Sequence, residues 1–154
     1  MLAALILGKI SRAQEYNIEL NLVPSSYVPI HSKFLSSYSL VTIVGNLVEN
    51  AIDAINALED ESAPREITLS IVEKEDSILI TVDDTGIGMS EETTLKLLQG
   101  RYSTKGINHG TGMALIKQIV NDSGGHISIE SEEDIGTCIS IIIEKKRNNG
   151  EEVK

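Results

Sequence analysis

The stretch Asn46-Leu47-Val48-Glu49-Asn50-Ala51-Ile52-Asp53-Ala54 decides how the rest of this chain is read. It lies inside an apolar repeat of Leu40, Val44, Leu47, Val48, Ala51, Ile55 and Leu58, which predicts a long helix over residues 38–58. Asn46, Asn50 and Asp53 fall at i, i+4 and i+7, so they share one face of it, with Glu49 beside them. Most polar helix faces are simply solvated. Asparagine, however, is a poor mid-helix residue, because its side chain competes for backbone hydrogen bonds. Two of them one turn apart among Leu and Val give up local stability for another purpose. Amide and carboxylate oxygens on one face suit a hard cation such as Mg²⁺, which prefers oxygen ligands together with phosphate and water.

Two further stretches carry chemistry. Asp84-Thr85-Gly86-Ile87-Gly88 directly follows a strand that ends at Val82. Its glycines permit close approach of a ligand, and a carboxylate at a strand end can accept from an exocyclic amine such as that of adenine. An ordinary strand-to-loop turn uses the same residue types. Ser103-Thr104-Lys105-Gly106 leads into Gly110-Thr111-Gly112-Met113, read as a helix start. Backbone N–H groups at a glycine-rich helix N-terminus form an anion site, and Lys105 adds a point charge for a terminal phosphate. The competing reading is a flexible loop with a helix cap. Neither the P-loop pattern nor the dinucleotide GxGxxG after a strand is present. Together the three stretches supply oxygen ligands for a cation, a hook for a purine and a cradle for phosphate.

Around them the chain reads as alternating elements. Leu2, Leu5, Ile6, Ile10 and Ala13 have helical spacing, without an N-cap at residues 1–4, as in the last turns of a longer helix. Ile18, Leu20 and Leu22 predict a first strand, and Pro24 to Ser37 a loop. Ile67, Leu69 and Ile71, then Ile78, Ile80 and Val82, predict two strands across a charged turn. Residues 85–112 are weakly periodic except for Glu91 to Leu98. Met113 to Val120 predict a second helix closed by Gly124-Gly125, and His126 to Glu130 and Thr137 to Glu144 two last strands. This order suggests helices on one face of a mixed sheet.

Composition bounds the rest. A length of 154 residues suits one domain. Lys+Arg 13 against Asp+Glu 23 leaves a net charge of −10, which disfavours nucleic acid and anionic membrane surfaces as partners. Cys138 is the only cysteine, so no internal disulfide or thiolate metal cage can form, and a reducing compartment is expected. With no Trp and one Phe, the core must be built from Ile, Leu, Val and Ala. No apolar run reaches the ~18 residues of a membrane span. Residues 1–7 lack a basic n-region, so they read poorly as a signal peptide; a soluble, cytoplasmic chain is expected.

At this point the residues resemble a known family. Asn46 to Ala54 resembles the N box of sensor histidine kinases, Asp84 to Gly88 the G1 box, and Gly110 to Leu115 the G2 box. Tyr102 to Gly106 is similar to the segment before G2 in the branch that senses citrate and C4-dicarboxylates. Leu7-Gly8-Lys9-Ile10 to Glu19-Leu20 resembles the passage in that branch from the dimerisation helix into the first strand. The resemblance runs to about Lys146.

It implies an α+β, two-layer α/β sandwich of the Bergerat ATP-binding type, a mixed sheet covered on one face by helices, with a mobile ATP lid. Residues 1–15 would be the end of the dimerisation helix, 16–146 the ATP-binding catalytic domain and 147–154 a disordered tail. By the same resemblance ATP and Mg²⁺ are the cofactors. Asn50 would coordinate Mg²⁺, with Asn46 close by and Asp53 on the same nucleotide-facing side. Asp84 would bind the adenine amine, Gly86 and Gly88 shape the pocket, and Thr137 help hold Asp84 or a bridging water. The lid would run from Met89 to His109. Within it Ser103, Thr104 and Lys105 would meet the phosphates, Lys105 facing the terminal one. Gly110, Thr111, Gly112 and Met113 would line the triphosphate. Asn46, Asn50 and Lys105 would be the catalytic set.

One departure separates neighbouring families. ATP-hydrolysing relatives place a Glu where this chain has Asn46, and a neutral amide is not a competent general base. Transfer to a protein acceptor is favoured over hydrolysis. None of His31, His109 and His126 lies in a helical, charge-rich setting suited to the phosphoacceptor. The reading is therefore a catalytic-domain fragment, inactive without its phosphoacceptor helix. The whole protein would be a membrane-anchored homodimer with a response regulator as partner and this part in the cytoplasm. The rivals are a GHKL-type ATPase or anti-sigma-like serine kinase, and a non-catalytic ATP-binding interaction module.

Overall fold

The computed structural model describes residues 1–24, 26, 31–99 and 107–145, the backbone alone at 107–111. The elements run α1 (Leu2–Glu15), β1 (Glu19–Leu22), α2 (Ser37–Asn56), β2 (Glu66–Glu73), β3 (Ser77–Asp84), α3 (Glu91–Leu98), α4 (Ile107–Asp122), β4 (His126–Glu132) and β5 (Gly136–Glu144). The strands form one sheet in the order β1-β2-β3-β5-β4. β1 lies parallel to β2, and every other pairing is antiparallel. The sheet is mixed, as expected.

Period-two alternation makes it two-sided. Ile67, Leu69 and Ile71 of β2, Ile78, Ile80 and Val82 of β3, and Ile139, Ile141 and Ile143 of β5 are buried. Between them Leu79 points the other way and stays 37% exposed. The apolar face is roofed by α2, through Ile43, Val44, Leu47, Val48, Ala51, Ile52 and Ile55. α4 adds Met113, Ile116 and Val120. α2 starts where Ser36 Oγ accepts the Ser39 N–H at 3.0 Å.

α1 packs on α2 and β1, burying Leu2, Ile6 and Ala13, with Leu5 against Gly45 of α2. Lys9 and Arg12 reach from α1 to Glu49 of α2, Lys9 at 3.0 Å and Arg12 through two nitrogens at 2.7 to 3.1 Å. Arg65 ties the two helix ends together, donating to Tyr16 O at 2.9 Å and Asn56 Oδ1 at 2.7 Å.

Several boundaries differ from the expectation. α2 ends at Asn56, β4 continues to Glu132, and Ser37 belongs to α2 rather than to the preceding loop. α4 begins at Ile107 instead of at Gly110–Met113, so the glycines lie within its first turns. Glycine propensity argued for a start at that point, but burial of Met113 and contact between α4 and α2 outweigh it. The expected lid contains α3, whose residues are none of them buried. Lys117 of α4 holds the end of α3, donating to Leu98 O at 2.6 Å. Residues 147–154 lie outside the described residues. Among the described residues no helix is long and apolar enough to cross a membrane.

Ile80 is fully buried in the sheet's middle strand, while its neighbour Leu79 faces outward. Ile80→Ala is expected to cost about 2–5 kcal/mol by urea unfolding, and Leu79→Ala less than about 1 kcal/mol. Similar losses at both positions would contradict the one-sided core.

Candidate functional site

β3 ends on Asp84 and β5 begins at Gly136, and the ladder sets Asp84 opposite Thr137. Residues opposite each other in a ladder share a face. Both side chains therefore turn to the helix-covered side, where each is 7% exposed; among the described residues they are the buried polar ones. Burial pushes the Asp84 carboxyl up to about 6, although backbone N–H groups of Gly86 and Thr137 favour its charged form. Gly86 N–H donates to Asp84 Oδ1 at 2.8 Å.

The loop after Asp84 is pinned on two sides. Gly86 lies against α2 so closely that a Cβ there would be 2.7 Å from the carbonyl carbon of Ala54, and Ile87 N–H donates to Ala54 O at 3.1 Å. Gly88 has φ +68°, and a Cβ would meet Glu132 O at 1.9 Å. Only glycine fits there. From the β4–β5 hairpin, Asp134 N–H donates to Ile87 O at 2.7 Å and Ser131 Oγ accepts Met89 N–H at 2.8 Å. Thr85 turns away, with Oγ1 accepting Glu66 N–H at 2.9 Å and donating to Pro64 O at 2.7 Å.

α2 brings the oxygen-bearing side chains to the same end. Asn46, Asn50 and Asp53 are half-buried along one face that leads toward Ala54 and the pinned loop. Asn46 Nδ2 donates to Thr42 O at 2.7 Å. That leaves its Oδ1 at the seam with α4, 2.9 Å from where a Cβ on Gly112 would stand. Glu49 is not part of this group. Burial raises its carboxyl, but the hydrogen bonds from Arg12 and Lys9 outweigh that and hold it below the usual range.

The structure thus sets Gly112 of α4 against Asn46, Gly86 against the end of α2 and Asp84 opposite Thr137, with Asn50 and Asp53 on the α2 face, Gly88 in the loop after Asp84 and Met113 buried next to Gly112. Ser103, Thr104 and Lys105 lie outside the described residues, and at Gly110 and Thr111 the backbone alone is described. Ser131, Asp134 and the Ala54 carbonyl were not expected from sequence. Their roles follow from hairpin register and from one helix-to-loop contact, neither of which a local pattern encodes.

The donor set suits a hard cation bound with a phosphate ligand. Amide and carboxylate oxygens line the α2 face, while among the described residues no group of three or more His, Cys, Asp or Glu could hold a metal. A hard cation held by so few protein oxygens completes its shell with water or other oxygen ligands.

The family described as histidine kinase-, DNA gyrase B- and HSP90-like ATPases matches residues 36–147. A probable C4-dicarboxylate sensor kinase of Halalkalibacterium halodurans is 37% identical over 147 residues, 95% of this chain and 27% of that protein. Sensor protein CitS of Bacillus subtilis is 31% identical over 96% of this chain and 26% of its own length. Sensor histidine kinase DpiB of Escherichia coli is 33% identical over 96% of this chain and 27% of its own. The chain spans about a quarter of the length of these curated relatives. In fold it is similar to full-length ShkA crystallised with AMPPNP, with TM-score 0.71 and 20% identity over 96% of this chain and 30% of that one.

The buried carboxyl has a thermodynamic signature. Unfolded aspartate titrates near ~3.9, so the folded carboxyl at about 6 binds its proton more tightly. Its contribution to stability is full below about pH 4 and is lost as pH rises through about 6. Asp84→Asn cannot ionise. Relative to wild type it is expected to gain on the order of 1–3 kcal/mol between about pH 4 and about pH 8, read by urea unfolding. A pH-independent difference would contradict the assignment.

Proposed function

This chain belongs to the family of histidine kinase-, DNA gyrase B- and HSP90-like ATPases, and from that premise we propose that it is the ATP-binding catalytic domain of a sensor histidine kinase. The observation that carries the reading is the buried acceptor pair Asp84 and Thr137, set beside the oxygen-bearing face of α2. The curated relatives are named as a probable C4-dicarboxylate sensor kinase, sensor protein CitS and sensor histidine kinase DpiB, and ShkA was crystallised with AMPPNP, an ATP analogue. The names of the relatives support the assignment to this branch, and the likeness to ShkA supports the fold.

In this reading Asp84 accepts the exocyclic amine of adenine. The pinned loop at Gly86 and Gly88 forms one wall of the base pocket, and Gly112 and Met113 border the phosphates. Asn50, with Asn46 and Asp53 on the same face, holds Mg²⁺. When bound, that ion neutralises charge on the phosphate oxygens. Ser103, Thr104 and Lys105, carried over from the resemblance, meet the phosphate end with Gly110 and Thr111.

Catalysis is then mostly positioning and charge stabilisation. An acceptor imidazole on a dimerisation helix attacks the γ-phosphorus in line; a nitrogen–phosphorus bond forms, and the bond to the β-phosphate oxygen breaks to release ADP. Asn46, a neutral amide with its Nδ2 already bound to Thr42 O, cannot take a proton from water, which favours transfer over hydrolysis. Residues 1–15 are assigned to the dimerisation helix and 16–146 to the catalytic domain. The whole protein is assigned as a membrane-anchored homodimer with this domain in the cytoplasm and a response regulator downstream.

The chain joined to a phosphoacceptor helix and given γ-labelled ATP tests this reading. Label on histidine is expected. Free phosphate alone would favour an ATPase, and binding with neither outcome a nucleotide-responsive interaction module.

Asp84→Asn is expected to lower ATP affinity at least tenfold by calorimetry, about 1.4 kcal/mol or more, with the fold intact. Asn50→Ala is expected to weaken Mg·ATP far more than magnesium-free ATP. Equal losses for the two forms would remove the cation role.

A further inference from the structure

Ser131 on β4 stands opposite Thr137 on β5, which stands opposite Asp84 on β3. The three side chains form a row across adjacent strands. The Ser131 hydroxyl makes three contacts: it accepts Met89 N–H at 2.8 Å, lies 2.7 Å from Thr137 Oγ1, and donates to Gly136 O at 3.2 Å.

Either hydroxyl can donate in the middle contact, and proton inventory favours one direction. A serine hydroxyl has one proton and two lone pairs. The Gly136 carbonyl can only accept, so the Ser131 proton goes there. Met89 N–H takes one lone pair. In that arrangement the other can only accept, and the Thr137 hydroxyl is the donor. The reverse direction would leave the Gly136 contact unmade. With its proton turned toward Ser131, Thr137 Oγ1 offers lone pairs alone to the pocket, as does ionised Asp84.

We infer that Ser131 is a positioning residue that makes Thr137 an obligate acceptor, so that the row Asp84–Thr137–Ser131 selects a purine bearing an exocyclic amine over one bearing a carbonyl in its place. This rests on the nucleotide-binding reading above. An amine donates to both acceptors, directly or through water. A carbonyl oxygen would face two acceptors with no proton between them, and such unmatched buried polar groups are costly. Without Ser131 the Thr137 hydroxyl can rotate and donate, and the carbonyl base becomes tolerable.

Calorimetric titration of the whole chain with ATP and with inosine triphosphate, both with Mg²⁺, tests this. The wild type is expected to prefer ATP. Ser131→Ala is expected to reduce the ratio of the two dissociation constants by about tenfold, one hydrogen bond's worth of discrimination. Ser131→Thr, which keeps the hydroxyl, is expected to restore the ratio. A purely structural role would lower both affinities together and leave the ratio unchanged, which overturns the inference. If the alanine variant unfolds, Thr137→Val reads the same ratio with Ser131 in place. A preserved ratio in that variant also overturns the inference. A wild type that binds neither nucleotide overturns instead the reading on which the inference rests.

Discussion

Asp84 keeps a carboxylate on the apolar side of a β-sheet, held by the backbone N–H groups of Gly86 and Thr137. Burial works against its charge, and a fold selected for stability alone would place an isoleucine there, as at Ile78 and Ile80 on the same strand. Much of the local architecture answers to this one residue. Gly86 must bend back to meet the carboxylate, so the loop presses on Ala54. Gly88 must adopt a positive φ to pass under Glu132. The β4–β5 hairpin then fastens the loop at Ile87 and Met89. A shape held from both sides does not have to be organised when a ligand arrives.

α2 connects that end of the sheet with the rest of the molecule. One of its faces supplies the core through Ile43, Leu47, Val48 and Ile55. A second carries Asn46, Asn50 and Asp53, with Asn46 at the seam with α4. A third carries Glu49, which Lys9 and Arg12 hold from α1. A shift of α1 along α2 would strain the Glu49 pair before it reached the oxygens of the second face. Partly exposed ion pairs contribute little to stability, so this one matters chiefly as a fixed point between two helices.

The elements were legible in the sequence wherever one period dominated. Alternating Ile and Leu in β2, β3 and β5 and the apolar stripe of α2 describe the sheet and its roof, and the site residues of α2 and the loop after β3 stood out as polar or glycine positions interrupting that pattern. The start of α4 was misread because glycines at 110 and 112 weaken a local helix signal that contact with α2 restores. Glu49 stood beside the cation face with no role assigned, since sequence spacing cannot reveal that Lys9 and Arg12 of α1 reach it. Ser131 was invisible for a similar reason. Its importance depends on a register in which it meets Thr137, and register is set by a hairpin turn whose residues Glu133, Asp134 and Ile135 carry no hint of what they align.

The central claim is that a purine nucleotide occupies one cleft shared by α2, the loop after β3 and the start of β5. Titration of the isotopically labelled chain with a non-hydrolysable ATP analogue and Mg²⁺, followed by amide NMR shifts, tests it most directly. Shifts concentrated at residues 46–53, 84–89 and 131–137 are predicted. Saturating analogue that leaves those amides in place, or moves a different surface, would contradict the account.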